Sequence, residues 1–133
     1  MGTLKRYNDW DLRLDAFFRD AHQFEWCAIF AADAVLAMTG IDLVADFRKI
    51  KTKSAMRKAA IKYCGSYDME AVARKGLGAP INPKLAQRGD VVSCDVGDGI
   101  ALGVCMGAKS MFIAEVGVVR IDTSQCLNAW RIG

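Results

Sequence analysis

Apolar residues recur with helical spacing along the first part of the chain and in short runs between turns along the last part. Trp10, Leu14, Phe17 or Phe18 and Ala21 fall at i, i+4, i+7/8 and i+11, one helical stripe with Arg13, Arg19 and Asp20 off it. Asn8 or Asp9 stands where a cap is needed, and Asp11 and Asp15 lie at the positive end of the dipole. A first helix is therefore predicted, running to about His22. The next stretch, FEWCAIFAADAVLAMTG over Phe24–Gly40, is apolar almost all round from near Trp26, with only Asp33 interrupting it. A helix without a polar face is covered on several sides, so this is the expected central element. Gly40 closes it, because glycine takes the left-handed cap without a Cβ penalty.

Asp42 can cap a short turn through Leu43 and Phe47, and Ser54 can open a helix to about Cys64, with Met56, Ala59, Ala60 and Tyr63 inward and Gly65 as the stop. A shorter helix from Asp68 to Lys75 turns Met69, Val72 and Ala73 inward and ends at Gly76. At GLGAPINPKLAQRGD the character changes, since Gly76, Gly78, Pro80 and Pro83 all break helix. Strands are predicted over Val91–Val96, Ile100–Met106, Met111–Glu115, Val118–Ile121 and Ala129–Ile132, with turns at Asp95–Gly99 (Asp98 included) and Gly107–Ser110. Close spacing means antiparallel pairing. The expected class is α+β: N-terminal helices packed on a C-terminal antiparallel sheet of about five short strands. A single domain over 1–133 is expected, helical over about 8–76 and a strand meander over about 89–133, because neither half buries its apolar face alone.

Composition adds little to this until charge is placed along the chain. The 133 residues are 53% hydrophobic and 25% charged, a globular balance, and a net charge of +3 is too small to imply a nucleic-acid partner. From Phe47 to Lys62, however, there are seven basic residues and no acidic one. Arg48, Lys49, Lys51, Lys53, Arg57 and Lys58 read either as a solvated helix face or as a docking surface for an acidic partner. The polar start MGTLKRYNDW predicts no secretory signal, Arg6 removes the myristoylation pattern, and no apolar run approaches the roughly 18 residues of a membrane span. The cysteines Cys27, Cys64, Cys94, Cys105 and Cys126 are odd in number and lack CxxC spacing, so neither a disulfide framework nor a zinc site is predicted. The last four read as small buried thiols.

Cys27 is the one residue that suggests a nucleophile. A thiol where a helix begins feels unpaired backbone N–H groups, which favour the thiolate and could hold an oxyanion. A buried structural cysteine beside Trp26 would look the same. A cysteine on a central helix, then further helices, then a Gly-Asp-opened strand and a meander resembles the NlpC/P60 branch of papain-like cysteine peptidases. The residues that carry the resemblance are Trp26-Cys27-Ala28-Ile29-Phe30, Arg88-Gly89-Asp90-Val91-Val92 and the strand Gly99–Gly107. The chain is also similar to a family of small phage and prophage proteins of that superfamily, through Thr39-Gly40-Ile41-Asp42, Phe47-Arg48, the RGDVV strand and Ala129-Trp130-Arg131-Ile132. That resemblance implies a tail-tip or tail-assembly component, made in the bacterial cytoplasm and carried in the virion, with tail hub and distal tail proteins as partners; the lack of an apolar span and of cofactor motifs leads to the expectation of no membrane partner and no cofactor.

In a Cys–His hydrolase the imidazole takes the thiol proton and a third polar group orients it. By the resemblance the histidine position falls on Ala101 and the third position on about Ala114, and alanine serves neither role. The only histidine is His22, five residues before Cys27, read as a helix-end residue. Asp33 reads as a hydrogen-bonded or paired core carboxylate rather than a catalytic acid, with Arg48 as a candidate partner. Trp10, Trp26 and Trp130 read as core anchors, with Trp130 also a candidate interface residue. Phosphate-loop, dinucleotide, zincin and serine-hydrolase motifs are absent. The expectation is a structural, non-catalytic papain-like tail component. The alternatives are a hydrolase of peptidoglycan peptides or of a tail protein that uses Cys27, and a basic protein- or DNA-binding module.

Overall fold

In the computed structural model, which describes residues 4–20, 22, 25–97 and 99–133, helices α1 (Trp10–Arg19), α2 (Cys27–Thr39), α3 (Lys53–Cys64) and α4 (Met69–Leu77) precede a five-stranded sheet. Ala21, Phe24 and Asp98, used in the pattern above, lie outside the described residues. The strands are β1 (Val91–Asp95), β2 (Ile100–Cys105), β3 (Lys109–Ala114), β4 (Gly117–Asp122) and β5 (Asn128–Trp130), in the order β4-β3-β2-β1-β5 and antiparallel throughout. The expected α+β class is therefore what the chain adopts.

α2 is the spine. Phe30, Ala31, Ala32, Ala34, Val35 and Met38 are buried, as expected of a helix with no polar face. It ends where Gly40 turns left-handed (φ 77°) and donates its N–H to the Leu36 carbonyl at 2.8 Å. Its inner side meets Val91, Leu102, Val104, Trp130 and Ile132, with Leu14 of α1 and Ala73 of α4 completing that layer. Each fully buried side chain of this size contributes roughly 1.5–3 kcal/mol. The opposite face of the sheet carries Val92, Cys94, Cys105, Phe112, Cys126 and Ala129, covered by Ile81 and Ala86 of the connecting segment rather than by a helix. Gly103 lets this second layer close: a Cβ there would lie 2.6 Å from the Phe112 ring.

Several boundaries differ from the pattern. α1 stops at Arg19, because Asp20 is extended, and the Asp9 carboxylate takes Arg13 Nε at 2.7 Å instead of capping the helix. Thr52, not Ser54, caps α3 by accepting the Ala55 N–H. α4 runs through Gly76 to Leu77 and is closed by Gly78. β3 begins at Lys109, two residues early, since Ser110 is buried and bonded to Thr123 Oγ1 at 2.8 Å. The strands are not a simple meander. After β4 the chain crosses back so that β5 pairs with β1, with Val91 opposite Trp130.

A buried carboxylate ties the two ends of the chain together. Asp90 is fully buried at the start of β1; its Oδ1 accepts from the Ile132 N–H at 3.1 Å and from Arg6 Nη2 at 3.2 Å, and its Oδ2 accepts from the Gln87 N–H at 2.9 Å. Arg6 donates further to the Ile132 and Arg88 carbonyls and lies over the Trp10 ring at 4.0 Å. The RGD and Trp-Arg-Ile segments, which the sequence singles out, are the two halves of this clasp.

Candidate functional site

Cys27 is the first residue of α2, after Trp26, whose extended backbone breaks the chain direction and supplies no capping side chain. The first N–H groups of the helix therefore surround the thiol with partial positive charge. Even so, the thiol is pushed up from its ordinary value: burial dominates, and the backbone N–H groups of Leu102, Ala28 and Cys27 itself pull down by less. Burial thus outweighs the pull of the helix end at this thiol.

What faces Cys27 follows from strand parity. Cys27 and Leu102 belong to the layer between α2 and the sheet, whereas Ala101 packs in the opposite layer with Cys105 and Phe112. Ala114, two residues beyond Phe112 on β3, has the same parity as Phe112. The structure therefore brings neither Ala101 nor Ala114 onto the Cys27 side. The strand residue there is Leu102, a closed aliphatic group without proton chemistry. The other neighbour is Tyr67, whose phenol is raised by burial first and by Cys27 second, and whose ring meets Trp26 edge-on at 5.8 Å.

His22 is not brought into play. Its Nε2 donates to the Phe17 carbonyl, and its ring lies 4.4 Å from Phe17 and 5.5 Å from Phe30. Among the described residues no hydrogen bond joins it to Cys27. Beside Cys27, a cavity of about 50 Å³ lies between α2, α4 and the turn Ala45–Phe47; Ala28, Val35, Phe47, Val72 and Leu102 line it, and no charged group does. Among the described residues no three His, Cys, Asp or Glu side chains converge as a metal site, and no helix is long and apolar enough to cross a membrane.

The remaining predicted residues separate into two groups. Asp33 does pair with Arg48, Oδ1 to Nη2 at 2.6 Å, and Asp42 takes the same guanidinium through Nε at 2.8 Å and Nη2 at 3.0 Å. These carboxylates, Asp42 first, hold the Arg48 guanidinium above its ordinary range, and Arg48 holds Asp42 below the usual carboxylate range. Arg48 is thereby withdrawn from the basic surface on which the sequence placed it. Lys49, Lys51, Lys53, Arg57 and Lys58 are exposed. Trp130 is a fully buried core residue that donates Nε1–H to the Gly78 carbonyl at 3.1 Å, while Trp10 and Trp26 are half-buried. Cys94, Cys105 and Cys126 are buried, and burial drives Cys126 up to about 11.

One polar constellation was not anticipated. Glu70 of α4 accepts on Oε2 from Ser93 Oγ and from Asn128 Nδ2, both at 2.6 Å. Ser93 lies opposite Leu102 on one side and Asn128 on the other, so the row crosses the helix-facing side of the sheet. These bonds hold the Glu70 carboxyl below its ordinary value, Ser93 contributing most. The available signal was a serine inside an otherwise apolar strand, which requires a buried partner.

The chain belongs to the family described as a domain of unknown function (DUF6950), which it matches over residues 5–132. No curated protein matches it.

Proposed function

We propose that the chain is a non-catalytic papain-like module of the NlpC/P60 type, serving as a structural component of a phage tail tip or its assembly. The observation that supports the non-catalytic part is that half-buried Cys27, its thiol pushed up by burial, packs in the same layer as Leu102, an aliphatic side chain that cannot act as a base. A Cys–His hydrolase needs a thiolate and an imidazole within hydrogen-bond reach, and His22 is held by Phe17. The tail assignment is supported by the sequence resemblance: the cysteine helix ending in Thr39-Gly40-Ile41-Asp42, the RGDVV strand and the closing Ala129–Ile132 segment. On this reading the residues that carry the resemblance persist because they hold the fold: Gly40 caps α2, Asp90 clasps the ends, and Trp130 fills the core.

Two measurements test it. Alkylation of Cys27 against pH, followed by peptide mass spectrometry, is expected to be slow at neutral pH and to rise only above the value for free cysteine, about 8.5. Rapid alkylation near pH 6 would instead favour the hydrolase alternative. Mass spectrometry of purified virions and tail intermediates is expected to find the chain together with tail hub and distal tail proteins. Its absence from both would refute the tail assignment and leave the non-catalytic assignment to the thiol data.

A further inference from the structure

The basic segment has a second property that appears only in three dimensions. Lys53, Arg57, Lys58 and Lys62 occupy the outer face of α3, with Lys49 and Lys51 in the approach to its N-terminus, and all six are exposed. None of them takes part in an ion pair among the described residues. The first turn of α3 carries no acidic residue, so Lys49, Lys51 and Lys53 crowd the positive end of the helix dipole. That arrangement opposes folding; of the six, Arg57 has an internal partner in the Tyr67 ring, 5.9 Å from its guanidinium carbon. Within the same face Ile61 is 45% exposed, one turn beyond Arg57 and Lys58, which are its i−4 and i−3 neighbours.

We propose that this face docks an acidic segment of a partner protein, its carboxylates pairing with the six cations and an aliphatic side chain meeting Ile61. Charge complementarity calls for an anion, and three features favour an acidic polypeptide over nucleic acid. An aliphatic group ringed by cations matches the apolar centre and charged rim of a protein interface, and a phosphate backbone has no counterpart to it. The cations are confined to one 12-residue helix and its approach, roughly 18 Å of helix. The basic run carries seven positive charges on a chain of net charge +3, so the rest of the molecule is net negative by four and repels a long polyanion passing beyond α3. The proposal stands apart from the tail reading, since it concerns the chemistry of the partner and not its origin.

The test measures binding of three labelled probes to the full chain at fixed ionic strength: a synthetic peptide of glutamates interspersed with leucines, polyglutamate, and random duplex DNA. The mixed peptide is expected to bind tightest. The triple variant Lys53→Glu/Arg57→Glu/Lys58→Glu is expected to weaken it by about tenfold or more, and Ile61→Ser to abolish its advantage over polyglutamate while leaving polyglutamate binding intact. All four positions are exposed, and a cooperative melting transition no lower than that of the parent chain verifies that the variants fold. Tighter binding of DNA, equal binding of both peptides by the parent chain, or indifference to charge reversal would each overturn the proposal.

Discussion

Replacing Asp90 with alanine removes a carboxylate that accepts two backbone N–H groups and the Arg6 guanidinium in a site with no exposure. Deleting one partner of a buried ion pair costs about 3–5 kcal/mol, because the other charge stays behind without compensation. Here the lower end applies: Arg6 keeps the Ile132 and Arg88 carbonyls, and its side chain is 15% exposed. A loss of about 3 kcal/mol is a large share of the roughly 5–15 kcal/mol of a typical domain. At this chain length it lowers the melting temperature by about 10 °C. Urea unfolding followed by circular dichroism gives the free energy, with Asp9→Ala as control. The Asp9–Arg13 pair has both side chains about half exposed, and its loss should cost little. Asp90→Asn keeps the shape but sets an amide N–H₂ or a weakened acceptor against donors, so its cost should fall between the two. If Asp90→Ala costs no more than Asp9→Ala, the clasp does not hold the chain ends.

Three further outcomes follow from local geometry. Glu70 has its folded pKa depressed, so its contribution is present above the unfolded glutamate value of about 4.3 and is lost as pH falls through the folded value; Glu70→Gln should therefore flatten the loss of stability between about pH 5 and 3 in pH-dependent urea titrations, and unchanged slopes would contradict this. Gly103→Ala sets a Cβ 2.4 Å from the Met111 carbonyl oxygen and should cost about 1–3 kcal/mol in the same unfolding assay, with a null result showing that β3 shifts freely. Arg48→Gln leaves Asp33 and Asp42 without their shared cation; with all three side chains a quarter to a third exposed, the expected cost is about 1 kcal/mol, and it should shrink in the Asp33→Asn background if the two are coupled.

Local spacing carried most of the helical half. The apolar circumference of α2, the left-handed glycines at its end and at the end of α3, and Asp68 at the start of α4 are short-range features, each decided within a turn of chain. The Asp33–Arg48 pair was legible for a related reason, since a charge in an apolar helix requires a partner and the nearest basic run supplies it. The misses are long-range. Whether the last strand extends the meander or returns to β1 depends on what the β1 edge offers, and no spacing encodes that. Which alternate residue of β2 faces α2 is a parity question; a one-residue difference in register exchanges Ala101 for Leu102 and with it the identity of the group opposite Cys27. The Glu70 row and the Arg6 clasp join residues 23 to 126 positions apart, through side chains whose individual types are ordinary.

The clasp also fixes how the molecule responds to load. With Arg6 bonded to Ile132 and both held to Asp90, chain attached beyond either segment leaves from one pole, and tension between the two ends acts on these few bonds in sequence rather than on the whole sheet at once. That is a peeling geometry. Under optical tweezers the terminal segments should come away at low force before the sheet yields, and Asp90→Ala should lower the first event while leaving the second. A protein built this way resists deformation from its neighbours far better than it resists being drawn out by its own ends.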